Sequence, residues 1–346
     1  MAGIAIAPMA VGRPAPLVRC RAAAPPAAPA PAIRASSGAA RSRVRVVPGA
    51  TAADRRAELQ APCRGELLEG RTCFVEQQWV RGYEVEADQR ISVTSMCNLL
   101  QECATNHAVN LWGKNDDLGF AIAPIMVEKN LILVMTRQQL QFERYPKWGD
   151  LVEVETWYQQ EGRLAARRDW AVRDGKTKET IGGGSSTWVM VNMKTRKLSK
   201  IPDEMLEEFL PFAPDPPRFG LGDTVCKLRL PELELPAEFQ APPQVARKTD
   251  IDLNGHMNNV TYISLALEAV PEDISDNMQI WQVEVDFKGE AMAGDTIECL
   301  ASSTPIPEQS LSPEGARAVL HVVRKCNGED CKELVRMRSI WRPKDS

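Results

Sequence analysis

An α+β fold built from two like units, each a long helix wrapped by an antiparallel sheet, is what three features of this sequence predict. The first is internal duplication. Phe142-Glu143-Arg144-Tyr145-Pro146-Lys147-Trp148-Gly149-Asp150-Leu151-Val152-Glu153 aligns with Phe287-Lys288-Gly289-Glu290-Ala291-Met292-Ala293-Gly294-Asp295-Thr296-Ile297-Glu298 at an offset of 145. Both stretches read strand, Gly-Asp turn, strand. Farther on, Asp174-Gly175 matches Asn327-Gly328, and Ser186-Thr187-Trp188 matches Ser339-Ile340-Trp341, both at an offset of 153, where Asp-Gly and Asn-Gly are hairpin turn signals. The second feature is a single helical stripe opening each half, and the third is period-two alternation after it. A sheet with one apolar face has to be covered, and a helix in each unit supplies the cover.

Taken in chain order, residues 1–50 come first and are a different material. They hold 16 Ala, 8 Pro and 7 Arg with no Asp, Glu or Lys, so they cannot bury enough surface to offset the entropy of ordering. An Arg-bearing, acid-free leader is the composition of an organelle transit peptide, whereas a secretory signal needs an early charge and an unbroken apolar stretch. Here Pro8 interrupts the apolar start and the first charge is Arg13. Without those 7 Arg the chain keeps 35 basic against 46 acidic residues, a charge of −11; general nucleic-acid affinity is not expected. No run of 18 apolar residues is present, so no transmembrane helix is expected.

The first helix is written by Met96, Leu99, Leu100, Cys103, Ala104, His107 and Leu111, with Ser92 or Thr94 to cap it and Gly113 to end it,. The second is written by Ile263, Ala266, Leu267 and Val270, and Pro271 stops it. Strands follow, with Val152, Val154 and Thr156 opposite Glu153 and Glu155, and Val283, Val285 and Phe287 opposite Gln282, Glu284 and Asp286,. The change of offset from 145 to 153 is taken up by a Pro/Ser-rich loop, residues 304–314, where the first half has a short turn near residues 159–163. Residues 198–243 carry nine prolines, too many for central strands or a long helix, and read as a surface connector. Two such units can pair their sheets edge to edge.

Chemistry concentrates in residues 250–262. If this segment is extended, Asp252, Asn254 and His256 alternate by two and project from one face, bringing together a carboxylate, an amide and an imidazole,. It runs into the second helix, whose unpaired N–H groups can hold an oxyanion. The plainer reading makes Asn258 or Asn259 a helix cap and His256 an ordinary interior histidine; four polar side chains beside Gly255 favour a site.

The pattern Asp252-x-Asn254-x-His256-x-Asn258-Asn259-x-x-Tyr262, followed by Phe287-Lys288-Gly289-Glu290, resembles the plant and algal plastid acyl-acyl-carrier-protein (acyl-ACP) thioesterases. The resemblance runs from about Phe74 to Trp341 and includes residues 98–107 on the first helix. It implies a tandem hotdog protein: a plastid transit peptide and disordered leader over residues 1–62, an N-terminal hotdog at 70–197 with the acyl-chain pocket, the connector at 198–243, and a catalytic C-terminal hotdog at 244–343. It implies hydrolysis of fatty acyl-ACP in the plastid stroma, acyl carrier protein as partner, a homodimer, and no metal or organic cofactor. The catalytic residues carried over are Asp252, Asn254, His256 and Glu290. Many members have cysteine after that glutamate; here stands Ala291, so catalysis is expected to rest on carboxylates and water, with Asp252 either orienting the attack or attacking itself. Backbone N–H groups near residues 256–258 are expected to hold the oxyanion. The first-half counterpart of Glu290 is Tyr145 and no DxNxH precedes the first helix, so one active site per chain is expected. Two other hotdog activities, acyl-CoA hydrolysis and hydroxyacyl-ACP dehydration, and a non-catalytic acyl-binding protein are the alternatives.

Weaker signals have structural explanations. His107 sits on an apolar stripe and is expected to be a core histidine; His321 lies in a strand with nothing around it in sequence,. The run Gly182-Gly183-Gly184-Ser185-Ser186 lacks a P-loop lysine and reads as a bulged or closely approached strand,. Met96, Met126 and Met135 read as core or tunnel lining,. Nine cysteines without ligand spacing fit a reducing compartment,. Cys326 and Cys331 bracket a hairpin turn, with free thiols the expectation,. Lys194, Arg196, Lys197 and Lys200, and the group Arg163, Arg167, Arg168, Lys176 and Lys178, are basic clusters on an acidic chain. Each is either solvated surface or a docking patch for the acidic carrier protein.

Overall fold

Each long helix begins where a capping side chain allows it. The computed structural model describes residues 65–113, 123–222, 226–328 and 330–344; the leader read at residues 1–62 lies outside them. The helices are α1 (Val93–Trp112), α2 (Pro124–Lys129), α3 (Asp203–Phe209), α4 (Asn259–Leu267) and α5 (Glu272–Asn277). Ser92 Oγ accepts the Ser95 N–H at 3.1 Å to start α1, and Asn258 Oδ1 accepts the Val260 N–H at 2.8 Å to start α4,. Gly113 ends α1. Asn258→Ala is expected to cost about 1 kcal/mol, read as a drop of about 2–4 °C in the thermal midpoint by calorimetry.

The strands are β1 (Glu66–Leu68), β2 (Cys73–Trp79), β3 (Leu131–Phe142), β4 (Leu151–Glu161), β5 (Ala165–Asp174), β6 (Thr180–Asn192), β7 (Lys197–Leu198), β8 (Phe239–Gln240), β9 (Gln244–Val245), β10 (Met278–Phe287), β11 (Thr296–Thr304), β12 (Arg317–Asn327) and β13 (Asp330–Pro343). They form one antiparallel sheet in the order β1-β2-β4-β5-β6-β3-β10-β13-β12-β11-β8, with β7 on β6 and β9 on β11. The run β4-β5-β6-β3 is mirrored by β11-β12-β13-β10. The two repeats meet edge to edge where β3 pairs with β10, from Gln141 opposite Gln282 to Arg137 opposite Asp286. Arg137 binds Asp286 across this seam at 2.9 Å.

The sheet wraps both helices. α1 packs against β2, β4 and α4; α4 packs against β11, β12 and β13. A single apolar cluster therefore draws Phe74, Met96, Leu100 and Val154 from the first half and Met257, Ile263, Val285 and Val335 from the second. Met126 belongs to a smaller cluster with Leu131, Met190 and Met205. Val152 and Val154 point into the core, so Glu155, Trp157 and Gln159, of opposite parity on β4, face outward,. The connector lies over that face. Arg218 binds Glu155 at 2.7 Å, stacks on Trp157 at 4.2 Å, and through its carbonyl accepts the Trp157 and Gln159 side-chain N–H groups at 3.0 and 2.9 Å.

Several expectations need correction. Arg167 and Arg168 do not belong to a basic surface patch: Arg167 is buried against Asp169 at 2.8 Å, and Arg168 turns inward to His107 Nδ1 at 3.1 Å. Lys178 is paired with Glu153. Cys326 and Cys331 are joined in a disulfide, because the β12–β13 register sets them directly opposite one another. His321 is surrounded after all, bonding the Ala266 carbonyl at 3.0 Å and Ser339 Oγ at 2.8 Å; both partners are distant in sequence. His107 is a core residue, stacked on Phe74, and burial pushes its pKa down to about 2,. The glycine run is a closely approached strand: a Cβ on Gly183 would lie 2.7 Å from the Trp170 carbonyl oxygen. Among the described residues no helix is long and apolar enough to cross a membrane.

Candidate active site

Residues 251–257 form a turn closed on itself, not an extended segment. Ile251 bridges Met257, the Asp252 N–H donates to the His256 carbonyl at 2.9 Å, and the Gly255 N–H donates to the Asp252 carbonyl at 3.0 Å. Gly255 sits at φ 81°, a conformation that costs a side-chain-bearing residue and suits glycine. The expected one-face alternation of Asp252, Asn254 and His256 therefore does not occur. An aspartate that can accept from the backbone two residues on favours such a turn over a strand: Asp252 Oδ1 accepts the Asn254 N–H at 2.8 Å and Oδ2 accepts Asn254 Nδ2 at 3.4 Å. Asp252 and Asn254 are thus brought together at the tip, where Asn254 is exposed.

The turn is held at its base. Asp250 accepts the Arg247 backbone N–H at 2.7 Å and Arg247 Nη2 at 2.8 Å, while its carbonyl accepts the Asn258 N–H at 2.9 Å. The Met257 N–H donates to the Ala291 carbonyl at 3.0 Å, tying the turn to the segment between β10 and β11. That tie delivers the remaining pair: His256 Nε2 stands 3.5 Å from Glu290 Oε2, with side chains 16% and 24% exposed. Both side chains are partly exposed and so remain open to a substrate.

No thiolate competes for the role of nucleophile here. Position 291 is a buried alanine. The Cys299 thiol is buried in β11, and burial pushes its pKa up to about 12,. Among the described residues two groups of side chains approach metal-ligand distances elsewhere, Glu298 with Cys326 and Cys331, and Glu69 with Cys73 and Glu155. In the first the cysteines are consumed by the disulfide. In the second Glu155 is engaged by Arg173 and Arg218.

The first repeat carries the same turn with different chemistry. The caps Ser92 and Asn258 correspond at an offset of 166. Glu86 N–H donates to the Arg90 carbonyl at 2.8 Å, Gln89 N–H to the Glu86 carbonyl at 2.9 Å, Ile91 N–H to the Pro146 carbonyl at 2.9 Å, and Ser92 N–H to the Glu84 carbonyl at 3.0 Å. Val85 bridges Ile91, and Gln89 occupies φ 67° where Gly255 stands in the second repeat. Glu86, Asp88 and Arg90 replace Asp252, Asn254 and His256. Arg90 is paired with Asp88 at 3.0 Å, and Tyr145, in the place of Glu290, is buried with its hydroxyl unpartnered. The clamp Arg247–Asp250 has its counterpart in Arg81–Glu84. Its i,i+3 spacing repeats at the 166 offset, a signal present in the sequence on the N-terminal side of each helix, whereas the aligned Gly-Asp turns lie beyond it.

The double-hotdog sheet is the architecture of the thioester hydrolases to which comparison also leads. Residues 72–209 match the model for the acyl-ACP thioesterase N-terminal domain, and residues 235–343 match that for the acyl-ACP thioesterase C-terminal domain. Oleoyl-acyl carrier protein thioesterase 1, chloroplastic, of Arabidopsis thaliana is 35% identical over 291 residues, covering 82% of this chain and 79% of the relative. Palmitoyl-acyl carrier protein thioesterase, chloroplastic, of Cuphea hookeriana is 36% identical over 283 residues, covering 81% and 65%. The solved 12:0-ACP thioesterase from Umbellularia californica superposes with a TM-score of 0.70 at 30% identity, over 80% of this chain and 96% of that one. The chain belongs to the acyl-ACP thioesterase family.

Proposed function

We propose that this chain hydrolyses the thioester of fatty acyl-ACP in the plastid stroma, releasing free fatty acid and ending chain elongation, with His256 and Glu290 as its catalytic pair. The observation that carries the site is their 3.5 Å approach at the N-terminus of α4. Water attacks the acyl carbon and its oxygen becomes part of the carboxyl; the carbon–sulfur bond breaks, and the proton removed from water returns to the leaving sulfur. Glu290 and His256 hold and pass that proton. Because the Asp252 carboxylate and Asn254 are bonded to each other, we assign them to shaping the turn and orienting the attack. The Met257 and Asn258 N–H groups are already engaged, which leaves the N–H groups of His256 and Asn259 to meet the oxyanion.

Purified protein given acyl-ACP should release one free thiol per free fatty acid formed. Consumption of 3-hydroxyacyl-ACP without thiol release points to a dehydratase instead, and binding without turnover to an acyl-binding protein. Single turnover in oxygen-18 water should leave no label in the Asp252 carboxylate; label there means that Asp252 attacks.

The N-terminal hotdog, residues 70–197, takes the acyl chain, and the C-terminal one, 244–343, does the chemistry, with 198–243 joining them. The Arabidopsis thaliana and Cuphea hookeriana relatives are chloroplastic proteins, and the acid-free stretch of residues 1–50 within the leader supports import, measured as a protected shorter product after incubation with isolated chloroplasts. The chain acts as a homodimer, measured by light scattering. Lys194, Lys197 and Lys200 are exposed, unlike Arg167. Charge reversal at all three should raise KM for acyl-ACP and leave hydrolysis of a small thioester unchanged; equal losses on both substrates mean that these lysines do not dock the carrier.

A further inference from the structure

One side chain ties the two halves of the catalytic pair together, and the duplicated repeat shows what it is for. Tyr262 lies on α4 one turn beyond the Asn258 cap, 2% exposed, and its Oη accepts the backbone N–H of Ala291 at 2.7 Å. Ala291 follows Glu290. Its N–H belongs to the same planar peptide unit as the Glu290 carbonyl, so a fixed amide fixes the backbone dihedral that aims the Glu290 side chain. The Ala291 carbonyl accepts the Met257 N–H at 3.0 Å, and Met257 follows His256. Ala291 is thus held on one side by the helix and on the other by the turn that presents the imidazole.

In the first repeat both members of the first contact are missing. Pro146 stands where Ala291 does and has no N–H to give; its carbonyl still accepts the Ile91 N–H at 2.9 Å. Met96 stands where Tyr262 does, fully buried but without a hydroxyl. The same turn therefore forms without the bond, so the fold does not require it. The repeat that lacks it carries Tyr145 in place of a carboxylate, and the repeat that has it carries Glu290.

We infer that Tyr262 is a positioning residue for the reaction, acting through the Ala291 amide to hold the Glu290 carboxylate against His256. The inference rests on His256 and Glu290 being the catalytic pair. Tyr262→Phe should lower kcat by about tenfold to a hundredfold, the scale of loss from a misplaced reacting group, with KM for acyl-ACP unchanged. In a Glu290→Gln background the same change should cost nothing further in single-turnover rate. Ala291→Pro, whose backbone the first repeat already tolerates, should reproduce the loss of kcat, and combining it with Tyr262→Phe should add little. Equal losses from Tyr262→Phe with and without Glu290, or a rise in KM at constant kcat, overturn the inference. So does full activity of Tyr262→Phe where Glu290→Gln is inactive, which leaves the catalytic pair standing. Full activity of Glu290→Gln overturns the pair itself and this role with it.

Discussion

Glu290→Gln is expected to reduce kcat for acyl-ACP hydrolysis by about a hundredfold to ten-thousandfold, the range of general acid–base contributions, while KM stays within about twofold of the parent because a group that acts in the transition state contributes little to ground-state binding. His256→Ala should cost a similar factor. The double variant should be little worse than either single one, since the two groups lie 3.5 Å apart and are proposed to move one proton,. Gln has the shape of Glu and retains a carbonyl oxygen, but it cannot take a proton at neutral pH. Steady-state release of free thiol reads all three. Activity of Glu290→Gln within about threefold of the parent would remove this carboxylate from the proton path.

The second large effect is on stability. Glu284 is fully buried on β10, and Arg338 on β13, 3% exposed, donates Nε–H to it at 2.5 Å. Arg338→Ala leaves that carboxylate buried without its main partner and is expected to cost about 3–5 kcal/mol. Replacing both together by Leu and Met should be close to neutral, because the pair must repay its own desolvation. The pH dependence has a definite sign. Burial holds the Glu284 carboxyl above its ordinary range even against the Arg338 charge,. Once that charge is gone, the carboxyl is held higher still, and the folded variant binds a proton more readily than the folded parent,. The stability deficit of Arg338→Ala relative to the parent should therefore grow as pH rises above the already raised range in which Glu284 ionises in the parent, and shrink on acidification,. Urea titrations at pH 4.5 and 7.5 measure both. A deficit independent of pH would assign the loss to packing.

Local signals carried most of the fold. The stripe from Met96 to His107 and the cap at Ser92 define α1 because helical periodicity and capping are properties of neighbouring residues,. The aligned Gly-Asp turns define the duplication for the same reason. What stayed illegible depended on residues far apart. His321 gains its partners from α4 and β13, and Arg167 and Arg168, on opposite faces of β5, are withdrawn from the surface by the connector and by His107 of α1 respectively,. The candidate site was half readable. Asp252, Asn254 and His256 were found by their density, but their arrangement was not, since an Asx turn closed by Gly255 breaks the alternation that a strand would impose,. Tyr262 stood in the motif without a role, because the amide it meets belongs to a residue 29 positions later.

The junction between β3 and β10 gives each repeat an edge strand supplied by the other. Each of these strands closes an edge that the other would otherwise leave open, and an unpaired strand is a template for any chain that reaches it. Severed from its neighbour, the C-terminal repeat would seek a substitute margin, most readily in another copy of itself. Covalent fusion supplies that neighbour at high local concentration and guarantees that it is the divergent copy, freed from carrying the reactive groups.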